Sequence, residues 1–326
     1  MTRHPLTLAA VLAAFLPSRG SGQCPALAAS TVRMVTVAPS IQLEVVDWGG
    51  NGPPLVFLPG FGNTAHIFTE FAPRFTARHR VVAITRLGFG ASSQPDSGYG
   101  VATLAAYTLA VLDSLGLQRV TLVGHSFAGN ELTWIAARHP ERVAGLVYLD
   151  TGFDFKLLYA SWAGGESPDE PPMAPADEAS LEAVQAYQRR VSGVRTPCEE
   201  LRATLVFGPD GRLAGDRNSA RVPGQLARGV VNAQYSLIQA PVLAIYAVPK
   251  SIEEFLPYVD WNDTTQARKA RRNFDDWIRG TGTERERLAA ALPGAEVVSL
   301  PGAHHYLFLS HPDTTRALME AFLGDR

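Results

Sequence analysis

The stretch "VTLVGHSFAGNELTWIAAR", Val120 to Arg138, restricts the fold more than any other part of the chain. An apolar, β-branched run passes directly into a helical pattern, with Ser126 at the junction and the small residues Gly124, Ala128 and Gly129 around it. A residue held on so sharp a corner brings the backbone before and after it close together, and the flanking positions must then carry tiny side chains. The corner lifts the Ser126 hydroxyl clear of the strand. It also leaves the N–H of Phe127 at the positive end of the following helix, where an anion is favoured.

The rest of the chain repeats the same rhythm. Strands are predicted at Val32–Val37, Leu43–Trp48, Leu55–Leu58, Val81–Ile84, Val120–Val123, Leu146–Leu149, Val242–Tyr246 and Glu296–Leu300, with helices at Thr103–Leu115, Phe127–Arg138 and Thr314–Leu323. The runs "PLVFL", "LVYL" and "PVLAIY" are apolar throughout, as strands covered on both faces must be. Alternating strands and helices of this kind predict an α/β fold with a mostly parallel sheet. Leu104, Leu109, Leu112 and Leu115 give one helix a face to pack on that sheet.

The alternation stops between Leu149 and Val242. That interval holds "WAGGESPDEPPMAPADE", the helical "SLEAVQAYQRRV" and no run resembling a core strand. It reads as a cap over one end of the sheet, residues 151–238, between core segments 29–150 and 239–326, with residues 164–176 loosely held. A second polar helical tract, Asp263 to Leu292, follows the seventh strand.

A net charge of −2 with 18% charged residues leaves no basic excess to attract a phosphate backbone, so nucleic acid is not an expected partner. A small-molecule substrate is. No cofactor and no metal are expected, because His66, His79, His139 and His311 lack ligand spacing and the Gly-Phe-Gly segments complete no nucleotide-binding pattern.

Residues 1–28 carry an arginine, an apolar run from Leu6 to Leu16 and an Ala26-Leu27-Ala28 site, the layout of an export signal, with a disordered tail on a cytoplasmic protein as the alternative. The apolar run is too short to span a bilayer. Lipid attachment at Cys24 is disfavoured by Gln23 before it. Cleavage after Ala28 would leave Cys198 as a lone packing residue without an intrachain disulfide.

A serine attacks only when a base takes its proton. "LPGAHHYLFLSHPD" supplies His304 and His305 just after the last strand, and loops at the C-terminal ends of parallel strands converge on one crevice. A second anion donor is expected from the turn Pro59-Gly60-Phe61-Gly62, through the N–H of Phe61. His125 reads as a packing residue, and Asn130 and Glu131 as a buried structural pair.

With the Gly124–Ala128 corner, the "PGFG" turn, "TRLGFGASS" and "PGAHHYLFLSHP" in this order, the chain resembles the α/β-hydrolase-fold family from about Val32 onward. The resemblance implies a three-layer fold, an eight-stranded sheet, a helical cap and a triad in the order Ser, acid, His. It favours His305 over His304, because His305 stands seven residues before Pro312 as in the family ending. Pro59 replaces the histidine often found before the oxyanion residue, a change that need not disturb a backbone donor.

Most members carry the acid after the seventh strand, and "PVLAIYAVPKS" has none there. Some carry it after the sixth, where Asp150 ends "LVYLD"; Asp150 is therefore the expected acid, with Asp154, Glu253 and Glu254 as alternatives. Phe153, Phe155, Tyr159 and Trp162 either line a substrate pocket or fasten the cap.

The expected activity is hydrolysis of a small or medium carboxylic ester through an acyl-enzyme. Acyl transfer, lactone hydrolysis or carbon–carbon bond hydrolysis could use the same triad, and a low-turnover binding protein is the alternative outside enzymes. Dehalogenase and epoxide hydrolase chemistry would need an aspartate at position 126.

Overall fold

The structure is a computed structural model that describes Cys24 and residues 28–162 and 166–324, the side chain of Trp162 excepted. The chain runs through β1 (Thr31–Ala38), β2 (Ile41–Gly49), β3 (Pro54–Leu58), β4 (Arg80–Ile84), α1 (Val101–Ser114), β5 (Val120–His125), α2 (Ala128–Arg138) and β6 (Val143–Leu149). After β6 come α3 (Phe155–Trp162), α4 (Leu181–Ser192), α5 (Cys198–Thr204), β7 (Leu205–Phe207), β8 (Leu213–Asp216) and α6 (Val222–Arg228). It finishes with β9 (Val242–Val248), α7 (Ile252–Phe255), α8 (Thr264–Ala291), β10 (Glu296–Pro301), α9 (Leu307–Ser310) and α10 (Pro312–Gly324).

Eight strands form one sheet in the order β1-β2-β4-β3-β5-β6-β9-β10. β2 runs antiparallel to both β1 and β4, and every other pair is parallel. Each of the eight predicted strands lies within one of these. The central strands are apolar along their whole length because both faces are covered. Val56, Leu122, Leu146 and Ala244 point into one buried cluster with Leu104 and Leu112 of α1, while Phe57, Val123, Val147 and Ile245 point into another with Phe308 and Met319.

Between β6 and β9 the chain leaves the sheet, and β7 and β8 pair only with each other. α4 starts where Ser180 accepts a hydrogen bond from the Ala183 N–H and stops at Gly193 in the left-handed region (φ 81°). α8, the predicted polar tract, is capped by Asp263, whose side chain accepts from the N–H groups of Thr265 and Gln266.

Two expectations are corrected. Of the segment 164–176, residues 164 and 165 lie outside the described residues, and the rest is tied down: Asp169 meets Gln266 and Lys269 of α8, the Tyr187 hydroxyl donates to the Pro171 carbonyl, and the Tyr258 hydroxyl donates to that of Pro168. Cys198 is not a lone thiol either, for it forms a disulfide with Cys24. The cleavage argument had discarded Cys24, and nothing local to "RTPCEE" signals a partner 174 residues away. The remaining residues of the N-terminal export pattern lie outside the described residues, apart from Ala28. Among the described residues no helix is long and apolar enough to cross a membrane.

Candidate active site

β5 ends at His125, and Ser126 follows in the left-handed region (φ 52°). Its N–H donates to the Leu149 carbonyl (3.2 Å), and its own carbonyl accepts from the Gly129 N–H (3.0 Å) and from the Thr151 hydroxyl. A methyl group on Gly129 would sit 2.2 Å from the Thr151 oxygen, which is why that position is small. Ser126 keeps part of its surface in solvent while His125, Phe127 and Ala128 around it are buried.

The adjacent strand ends in a second left-handed corner. Asp150 follows β6 with φ 48°, and its N–H donates to the Ile245 carbonyl of β9 (2.7 Å). One carboxylate oxygen accepts from the Ala247 N–H (2.9 Å), and the other lies 2.6 Å from Nδ1 of His305. A carboxylate only accepts, so Nδ1 of His305 donates to it and Nε2 is left with a lone pair. Among the described residues the Ser126 hydroxyl has no hydrogen-bond partner, His305 included. Such contacts commonly close only on a bound substrate.

His304 takes no part in this pairing. Its Nδ1 accepts from the Tyr306 N–H (3.1 Å), and burial, followed by the nearby charge of His305, brings its pKa down to about 4. Asp154 instead anchors the loop around Asn232 and Ala233, and Glu253 and Glu254 lie in the first turn of α7. His125 is packed, as its position predicted. Burial, then His305, holds it well below the ordinary imidazole range, so it stays neutral, and its Nε2 donates to the His305 carbonyl (3.1 Å).

The turn after β3 closes the crevice. A side chain at Gly60 would meet Nδ1 of His125 at 2.8 Å and the Ser126 Cβ at 3.1 Å, so only glycine lets the turn approach the corner. Arg86, 3% exposed, donates to the carbonyls of Pro59 (2.8 Å) and Gly60 (3.1 Å) and pairs with Glu131. Asn130 and Glu131 are both buried, as the sequence implied, and Glu131 takes Arg86 as its ion-pair partner. The missed signal was an arginine between the apolar Ile84 and Leu87. Among the described residues, neither the Phe61 N–H nor the Phe127 N–H has an acceptor.

Phe61 is 38% exposed and lies edge-on to Phe127 (5.9 Å between ring centres), which in turn contacts Phe155 (5.6 Å). Phe153 is buried against Tyr246 and Phe155. The Trp162 side chain lies outside the described residues. A cavity of about 390 Å³ opens beside Asp150 and His305, walled by Phe255, Pro257 and Trp277. A second, more polar one of about 460 Å³ lies beyond Asn63 and Tyr306.

This architecture has known relatives. A family profile described as the alpha/beta hydrolase fold matches residues 53–220, and the chain belongs to that family. It is 38% identical over 120 residues to the 2-hydroxymuconate semialdehyde hydrolase of Pseudomonas putida, covering 35% of this chain and 43% of that protein. To the haloalkane dehalogenase of Mesorhizobium japonicum it is 32% identical over 108 residues, 33% of this chain and 35% of the relative. The chain therefore spans less than half the length of these relatives. Among solved structures, E-2-(acetamidomethylene)succinate hydrolase superposes with a TM-score of 0.65 at 22% identity, over 91% of this chain and 100% of that one.

Proposed function

We propose that the protein is a serine hydrolase acting on a small or medium carboxylic ester. Ser126 attacks the carbonyl carbon while Nε2 of His305 takes its proton; Asp150 orients the imidazole and stabilises the imidazolium. The N–H groups of Phe61 and Phe127 receive the oxyanion, an interaction worth about 3 kcal/mol per donor in a dry site. His305 then protonates the departing alkoxide, and water, activated by the same imidazole, releases the acid.

The observation that carries this reading is the pairing of Asp150 with His305 at the edge where Ser126 stands on its corner. With no carboxylate directly after β9, this pairing supports Asp150 as the acid and an enzyme over the low-turnover binding protein. Replacing Ser126 by alanine is expected to abolish both p-nitrophenyl ester turnover and fluorophosphonate labelling; survival of either rejects the reading. Carbon–carbon bond hydrolysis with the same residues is the second reading, favoured by the likeness to the semialdehyde hydrolase. Product analysis on esters and on 2-hydroxymuconate semialdehyde separates the two.

The Cys24–Cys198 disulfide supports a chain that works in an oxidising compartment after export. It moves the expected processing point from Ala28 to a position before Cys24, and a thiol so bonded cannot carry a lipid.

A further inference from the structure

Glu200 of α5 is 1% exposed, and a buried carboxyl group is tolerated only with partners. All of those found belong to the chain just after the Phe61 turn. Oε1 accepts from the Thr64 N–H (3.0 Å) and from Nδ2 of Asn63 (3.0 Å), and Oε2 meets the Thr64 hydroxyl. Asn63 carries the connection onward. Its N–H donates to the Gly60 carbonyl (3.4 Å), and its side-chain oxygen accepts from the Tyr306 hydroxyl (3.0 Å), one residue beyond His305. From the same inserted segment, Asn218 donates to the Gly62 carbonyl (3.4 Å) and accepts from the Gly90 N–H (3.0 Å).

We propose that Glu200 is a positioning residue: from the segment between β6 and β9 it fixes the Phe61–Asn63 turn and, through Asn63 and Tyr306, the loop that bears His305. The anion donor and the base are then aligned by the inserted segment as well as by the sheet. This rests on the serine hydrolase reading given above. The turn needs such support because Phe61 is exposed and its N–H belongs to no strand ladder. A displacement of about 1 Å at such a donor is enough to cost about 100-fold in rate.

The chemistry of the contact distinguishes positioning from bulk packing. Burial pushes the Glu200 carboxyl up to about 7, against the hydrogen bonds from Thr64 and Asn63 and the charge of His66. The titratable groups around it are His66, itself paired with Glu44 of β2, Glu199 on the same helix, and Tyr306. A glutamine at this position accepts from Asn63 and the Thr64 N–H and donates to the Thr64 hydroxyl, reproducing the protonated acid. Alanine offers none of these.

The test compares wild type, Glu200→Gln and Glu200→Ala well below their melting temperatures. At pH 6, Glu200→Ala is expected to lower kcat on a p-nitrophenyl ester by about 10- to 100-fold with KM changed less than 3-fold, and Glu200→Gln to stay within about 3-fold of wild type. An alanine variant within 2-fold of wild type, or a glutamine variant as impaired as alanine, overturns the proposal. Hydrogen exchange decides the matter without activity: Glu200→Ala should speed exchange in residues 60–66 and also in 303–308, and an unchanged 303–308 segment contradicts the coupling. If wild type neither turns over esters nor labels, the serine hydrolase reading fails, while the exchange result still tells whether Glu200 holds both loops.

Discussion

The crevice has two walls, and they are held by different means. Ser126 and Asp150 end adjacent strands in left-handed backbone, and each is pinned by main-chain bonds to the neighbouring strand, Ser126 to Leu149 and Asp150 to Ile245. The Pro59–Asn63 turn opposite has no such ladder. Side chains from distant parts of the chain hold it: Arg86 with Glu131 from below, Glu200 and Asn218 from the inserted segment. A corner built into a sheet resists disturbance from elsewhere. A turn held by side chains answers to every one of them.

The largest expected effect falls on the sheet wall. Ser126→Ala should reduce kcat on p-nitrophenyl esters by about 10⁶-fold, since removing a nucleophile leaves only binding and anion stabilisation. Asp150→Asn comes next, with a loss of about 10⁴-fold, because asparagine can donate to Nδ1 of His305 and so favours the wrong tautomer. If Asp150→Asn stays active while a change at Glu253 or Glu254 destroys turnover, the acid has been misplaced.

On the other wall, the ion pair under the turn should govern stability and its hold on the turn should govern activity. Glu131→Ala strands the Arg86 guanidinium without its partner at 2–3% side-chain exposure and should cost about 3 to 5 kcal/mol in urea denaturation. Replacing both by apolar residues, Arg86→Met with Glu131→Leu, should return part of that stability but lower kcat below that of Glu131→Ala, since only the double variant takes the donor away from the Pro59 and Gly60 carbonyls. Recovery of full activity in the double variant would show that the turn needs no such hold.

A smaller effect is expected from Glu200→Gln on the pH dependence of stability. The folded pKa of Glu200, about 7, exceeds its ordinary value of 4.5, so the folded state holds the proton more tightly. The stabilisation is therefore complete below about 4.5 and is lost as pH rises through about 7. Glutamine does not ionise. Its advantage over wild type in urea melts should grow from pH 5 to pH 8, by on the order of 2 kcal/mol; a constant difference would contradict the buried-acid account.

The same contrast explains what the sequence disclosed. The Ser126 corner was legible because part of its requirement is local: a side chain at Gly124 would meet Leu132 at 2.7 Å and Ala128 at 3.2 Å, both in the helix that follows. The resemblance led to expecting Asp150, after the sixth strand, and His305, by its spacing to Pro312, as partners, and the two are hydrogen-bonded. Arg86 and Glu200 were not legible, since each is charged in a buried place for the sake of a partner far along the chain. Cys198 was misjudged for the same reason. Its partner lies in a segment that the processing argument had removed.

The account rests on Ser126 being the atom that attacks. Fluorophosphonate labelling of the purified protein, followed by peptide mass spectrometry, tests this directly. One adduct is expected, on the peptide containing Ser126, and it should vanish in Ser126→Ala and be strongly slowed in His305→Ala. An active protein that takes no label at Ser126, or carries it at another residue, would contradict the account.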